Sequence, residues 1–216
     1  MFKQAINELY SNFPYEHYLK YSAKFKPYRA NVRLIADKIQ FGLSKKWKTV
    51  SKEIQIGLIQ ELLLKILKNK LKPLRTTTQN IELYNIFMKK IHLGIPKTET
   101  DPILDESFNR VNENYFLGLI EKPNLAWHDS SHRLGSYEYG SDTISISNNL
   151  ISASKEILDY VMYHEILHKK HKFENRKGRN YHHTAKFRND ERKFENWEKI
   201  ERELKNINQK RLFGLF

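Results

Sequence analysis

YVMYHEILHKKHKF, residues 160–173, sets three histidines around one glutamate in an apolar run. The pattern predicts a helix that opens on Ser152 or Ser154 as its cap and runs to about Lys172. On a helix, positions i and i+4 differ by about 40° in azimuth and by one turn in height. His164 and His168 can therefore meet one metal ion, while the carboxylate of Glu165 reaches a water activated by that ion. This is the arrangement of a zinc hydrolase with glutamate as general base. The competing reading, two surface or otherwise satisfied histidines, fits poorly with the apolar helix and the alternating strand before it.

His171 shares the helix face at i+7 but lies about 10.5 Å further along the axis. Two ligands of one zinc sit only about 3–3.5 Å apart, so His171 is out of reach unless the helix breaks at His168. The metzincin pattern also fails, because the positions that need its Gly and third His are His171 and Glu174. A catalytic zinc keeps three protein ligands and one open position. The chain has no cysteine, which excludes disulfides, cysteine ribbons and thiol chemistry and leaves His, Asp or Glu as ligands. His182 and His183 follow the loop-like ENRKGRN, and either can supply the third ligand. Glu191 or Glu195, one or two turns on, is the alternative.

Outward from this helix, DTISIS (142–147) alternates as a half-buried or edge strand does. NLAWHDS and HRLGSYEYG read as short strands, 103–116 as a helix, and 184–208 as a last, highly charged helix. GIPKTETDP (94–102) is the best linker. It divides a basic, mainly helical region, 1–97, from a second domain, 98–216. In the first part, residues 1–25 read as one or two helices with aromatic anchors. YRANVRLIADKIQFGLS (28–44) reads as a β-hairpin with a turn near Asp37. Ser51 opens a helix to about Asn69, and another covers 79–92.

The formal charge of +13 is uneven. Residues 1–100 hold 19 Lys/Arg against 7 Asp/Glu, and residues 101–216 hold 19 against 18. The imbalance points to an anionic partner such as nucleic acid, with a solvated basic surface as the plainer reading. The most apolar run, IGLIQELLLKIL (56–67), is too short to span a bilayer. MFKQAINELYSNF lacks the apolar core of a signal peptide. The expectation is a soluble, cytoplasmic protein with no membrane partner.

Over about 105–200 the sequence resembles the SprT-like zinc metallopeptidases, the group that includes Spartan. FNRVNENYF (108–116) resembles the family's opening segment. LAWHDSSHRLGSYEYGSDTISIS resembles its Trp-ending strand, Leu-Gly turn and Ile-x-Ile strand. HEILH follows at the expected interval, and HTAKFR (183–188) resembles the element that carries the third ligand. The resemblance implies an α+β fold with a zincin-like catalytic domain, a small sheet packed on the HExxH helix. The mainly helical N-terminal region with its β-hairpin lies outside it. It further implies Zn²⁺ held by His164, His168 and His183, with Glu165 as catalytic base. Two features depart from the family: Thr184 stands where Gly is frequent, and no cysteine ribbon is present.

The function expected is zinc-dependent hydrolysis of peptide bonds, with DNA-associated proteins as candidate substrates. The alternative is a nucleic-acid-binding protein with a structural or inactive zincin-like domain. The strand at 143–147 is expected to pair with an extended peptide, and Tyr181 is a candidate for stabilising the oxyanion. Lys169, Lys170, Lys172, Arg176, Lys177, Arg179, Lys186 and Arg188 form a basic run that can track a phosphate backbone.

Overall fold

Alternation in residues 28–44 produces a hairpin of β2 (Ala30–Ile35) and β3 (Lys38–Ser44), turning at Ala36 and Asp37. Val32 pairs with Phe41 and Leu34 with Ile39, so one face is apolar throughout. The structure is a computed structural model that describes residues 1–129, 133–176 and 179–212. Its chain is α+β and divides into two compact units.

The first unit comprises Met1–Ile95 with Tyr139–Ser141 and Glu174–Tyr181. It contains α1 (Phe2–Asn7), the hairpin, α2 (Lys52–Ile66) and α3 (Gln79–Lys90). Residues 16–22 are a strand, β1 (Glu16–Ser22), not part of a helix. β1 runs parallel to β3 and completes a sheet of order β1-β3-β2. The pairing spans more than twenty residues of chain, so local pattern did not reveal it. Ile39, Phe41 and Leu43 of β3 are fully buried against Leu9, Ile59 and Leu63 of one core cluster. Each such side chain contributes about 1.5–3 kcal/mol.

The second unit comprises Pro96–Glu138, Asp142–Phe173 and His182–Phe216. Asp101 caps α4 (Pro102–Phe116) by accepting from the backbone of Ile103 and Leu104, with Pro102 in the first turn. Three strands follow: β4 (Asn124–His128), β5 (Gly135–Glu138) and β6 (Thr143–Ser147). β6 lies in the middle, parallel to β4 and antiparallel to β5. It is therefore not an edge strand, and the edge on that side of the sheet belongs to β5.

Ser154 caps α5 (Lys155–His171) by accepting from Ile157 N, and the helix ends where Lys172 takes a positive φ. Ile144 and Ile146 of β6, with Met162 and Ile166 of α5, are fully buried in one cluster. Arg110 and Ser107 of α4 both bond Asp159 of α5, the arginine through two N–H groups at 2.9 and 3.0 Å. The charged segment 184–208 is two helices, α6 (Ala185–Glu191) and α7 (Trp197–Leu212). The chain turns between them at Asn196, which has φ 56°, a conformation asparagine tolerates better than most residues. A short hairpin, β7 (Glu174–Arg176) and β8 (Arg179–Tyr181), occupies the segment that reads as a loop. No described helix is long and apolar enough to cross a membrane.

Candidate metal centre

α5 presents His164 and His168 one turn apart, and the Nε2 atoms of their rings lie 3.1 Å from each other. Thr184 caps α6 by accepting from Phe187 N at 3.3 Å, which accounts for a hydroxyl at this position. His183 stands just before the cap, and its Nε2 lies 3.2 Å from that of His168. One ligand atom from each ring falls within 4.8 Å of the others. Beneath the three rings lies fully buried Phe187, its centroid 4.8–5.2 Å from theirs.

Hydrogen bonding on the far side of the cluster decides what these nitrogens offer. Glu191 Oε1 lies 2.6 Å from His164 Nδ1, so Nδ1–H donates and Nε2 is left with a lone pair. Burial and the neighbouring imidazoles pull His168 down to about 3, so its ring is neutral at ordinary pH. Burial likewise lowers His183. His168 Nε2 cannot both donate to His164 and accept from His183. One shared cation would satisfy all three nitrogens, two of whose separations, 3.1 and 3.2 Å, match the roughly 3–3.5 Å between ligands of one zinc. The residues present thus fit a divalent metal.

Glu191 is buried, and Arg188 holds its other oxygen at 2.7 Å. Burial pushes its carboxyl up, but His164 and Arg188 outweigh that and hold it down at about 2. Glu191 was a candidate third ligand from sequence; here it orients His164 instead. Glu195, the other acidic candidate, lies beyond the end of α6, where its backbone N–H donates to Tyr115. His171 points elsewhere, with Nε2 2.8 Å from Asp190. The His182 ring meets that of His168 edge-on and lies tilted to that of Phe173, with centroids 6.0 Å away in each case.

Glu165 is 4% exposed and lies against β5. A Cβ on Gly135 would sit 2.7 Å from Glu165 Oε1 and 2.9 Å from its Cγ, so only glycine admits the carboxylate here. Burial pushes the carboxyl up to about 7, partly offset by His164, the Tyr137 backbone N–H and Arg133. Glu165 Oε2 is buried with no hydrogen-bond partner among the described residues. A cleft of about 400 Å³ adjoins the centre, lined by Leu134, Val161, Tyr160 and Leu204 together with Glu165 and His183.

A buried ionic cluster stands behind the last turn of α5. Asp142, with a fully buried side chain, accepts from Lys169 at 2.7 Å, from Tyr137 OH at 2.6 Å and from Lys97. Sequence spacing had no signal for it, because residues 97, 137, 142 and 169 belong to four different segments. Of the basic run at 169–188, Lys169, Lys170 and Arg188 are engaged by Asp142, Asp190 and Glu191. Lys177 lies outside the described residues, as do the side chains of Arg176 and Arg179. Tyr181 ends β8 and is 43% exposed.

A family model described as YgjP-like, metallopeptidase domain, matches residues 88–207. Among solved structures the chain is similar to the metallopeptidase zymogen jannalysin of Methanocaldococcus jannaschii, with 24% identity and a TM-score of 0.39. That match covers 53% of this chain and 96% of jannalysin. The zymogen abylysin of Pyrococcus abyssi is similar at 14% identity and a TM-score of 0.38, over 47% of this chain and 90% of abylysin. No curated protein matches the sequence.

Proposed function

The chain belongs to the YgjP-like metallopeptidase family, and we propose that it is a zinc-dependent peptidase of the HExxH type. In this reading residues 98–216 form the peptidase domain, behind a separate basic region at 1–97. His164, His168 and His183 hold the ion through Nε2, as the resemblance to SprT-like enzymes implies. The observation that carries the proposal is the convergence of these three nitrogens, with Glu191 fixing the tautomer of His164 from behind.

Zinc held there would supply Lewis acidity to a water and to the scissile carbonyl. Glu165 takes a proton from the attacking water at its carboxylate and passes it to the leaving amine. Packing against Gly135 and the bond from the Tyr137 N–H keep that carboxylate from rotating away. β5, the outer strand, replaces β6 as the element along which an extended peptide lies. The apolar walls of the cleft suit a substrate side chain. Proteins associated with nucleic acid are the proposed substrates, on the strength of the basic first unit.

Metal analysis of the purified protein tests the ligand set. One zinc per chain is expected, lost in His183→Ala and retained in His171→Ala and His182→Ala. Retention in His183→Ala with loss in His182→Ala would overturn the assignment. Glu191→Gln, which keeps the shape but weakens the bond to His164, is expected to lower zinc affinity about 10–100-fold in competition with a chelator. An unchanged affinity would leave Glu191 with only a packing role.

A further inference from the structure

β1 runs parallel to β3, and β2 runs antiparallel to it. Ser22, Ser44 and Ala30 consequently stand at one end of the sheet, and the segments 23–29 (AKFKPYR) and 45–49 (KKWKT) emerge there together. The two segments are tied to each other and to the sheet: Ser44 N donates to Arg29 O at 2.9 Å, the Tyr28 ring meets Trp47 edge-on at 5.7 Å, and Lys48 Nζ lies 5.0 Å from the centroid of Tyr21. Lys24, Lys26, Arg29, Lys45, Lys46 and Lys48 are all exposed, and neither segment contains an acid. The acids Glu16 and Asp37 stand at the opposite end, where Glu16 N donates to Asp37 O. β1 and β3 are each seven residues long, so this cluster of six cations stands about 20 Å from the acid-bearing end, where Lys38 pairs with Glu16.

We propose that this end of the sheet binds the phosphate backbone of a nucleic acid. The proposal rests on the nucleic-acid part of the function above and is independent of the peptidase part. The basic run beside the metal centre is a weaker candidate, since Lys169, Lys170 and Arg188 are already engaged by buried acids. An anionic membrane fits less well. Trp47 is buried and Phe25 and Tyr28 are half-buried, whereas a surface binder needs an exposed apolar face to insert. The second lysine group of this unit, Lys65, Lys68, Lys70 and Lys72, lies in the last turn of α2 and just beyond it. α2 starts just after segment 45–49, and its 15 residues carry the chain about 22 Å away.

The test is fluorescence anisotropy of the full chain with labelled duplex and single-stranded DNA across a salt series. Replacing Lys24, Lys26, Lys45, Lys46 and Lys48 together by Gln is expected to weaken binding at least about tenfold. The salt slope should flatten by about 0.9 for each duplex phosphate that the variant no longer neutralises. Replacing Lys65, Lys68, Lys70 and Lys72 by Gln removes nearly as much charge elsewhere and should weaken binding less than about threefold. Equal losses in the two variants would overturn the proposal, and so would absence of wild-type binding at low salt. Phosphatidylserine vesicles bound more tightly than DNA, with the same variant pattern, would assign the surface to a membrane instead. If the multiple variant does not fold, Lys24→Glu and Lys45→Glu must each weaken binding singly, and failure of both refutes the proposal. Peptide cleavage is measured in parallel on the same samples, so loss of one reading leaves the other standing.

Discussion

Glu165→Gln is expected to lower peptide hydrolysis about 10²–10⁴-fold while zinc content and DNA affinity stay at the wild-type level. Gln has nearly the same shape, so the close approach to Gly135 and the bond from the Tyr137 N–H survive. What disappears is the basic oxygen that accepts the proton. A Glu165→Ala variant would confuse this result, because it also empties a buried position beside Val161. Cleavage at the wild-type rate in Glu165→Gln, with zinc bound, would mean that some other group is the base.

Asp142→Asn is expected to destabilise the second unit by about 3–5 kcal/mol, read as a lower denaturant midpoint with an unchanged slope. The side chain of Lys169 is 5% exposed and that of Asp142 is 0% exposed. Removing the carboxylate leaves an ammonium buried opposite a neutral amide. Asn tolerates the backbone here, where Asp142 has φ 43°, so the substitution reports on charge rather than strain. Adding Lys169→Met should recover part of the loss, because the uncompensated charge goes with it. Full stability in the single variant would remove the ionic account. Burial pushes Asp142 up, but hydrogen bonds from Lys169, Lys97 and Tyr137 outweigh it and hold the carboxyl below the usual carboxylate range. Its stabilisation is therefore present above the unfolded value of about 3.9 and is lost as pH falls through the lower folded value.

Local pattern carried several elements well. The hairpin at 28–44 was legible because its apolar residues alternate, and α5 because Ser152 or Ser154 could cap an apolar run; α4 was legible at 103–116, its cap at Asp101 coming from the structure. β1 was not legible, since its partner β3 is reached only through a long-range parallel pairing. The single charged helix read at 184–208 is divided after Glu191, and the chain turns at Asn196, whose positive φ no helical periodicity announces. DTISIS alternates in sequence, yet it lies at the centre of its sheet, because the turn at Gly140 folds it back onto β5 while β4 pairs in parallel with its other edge.

For the site, sequence alone determined that His164 and His168 share one helix face with Glu165 between them. It also put His171 out of range, since helical rise is a property of local backbone. Without the family resemblance, four residues remained open as the third member of the cluster. Only the tertiary structure brings His183 to these rings, through a cap at Thr184 that sets the start of α6. It alone places Glu191 behind His164, Gly135 against Glu165 and Asp142 under Lys169. The physical reason is range: periodicity and capping act over a turn or a strand, whereas side-chain convergence depends on how separate elements pack.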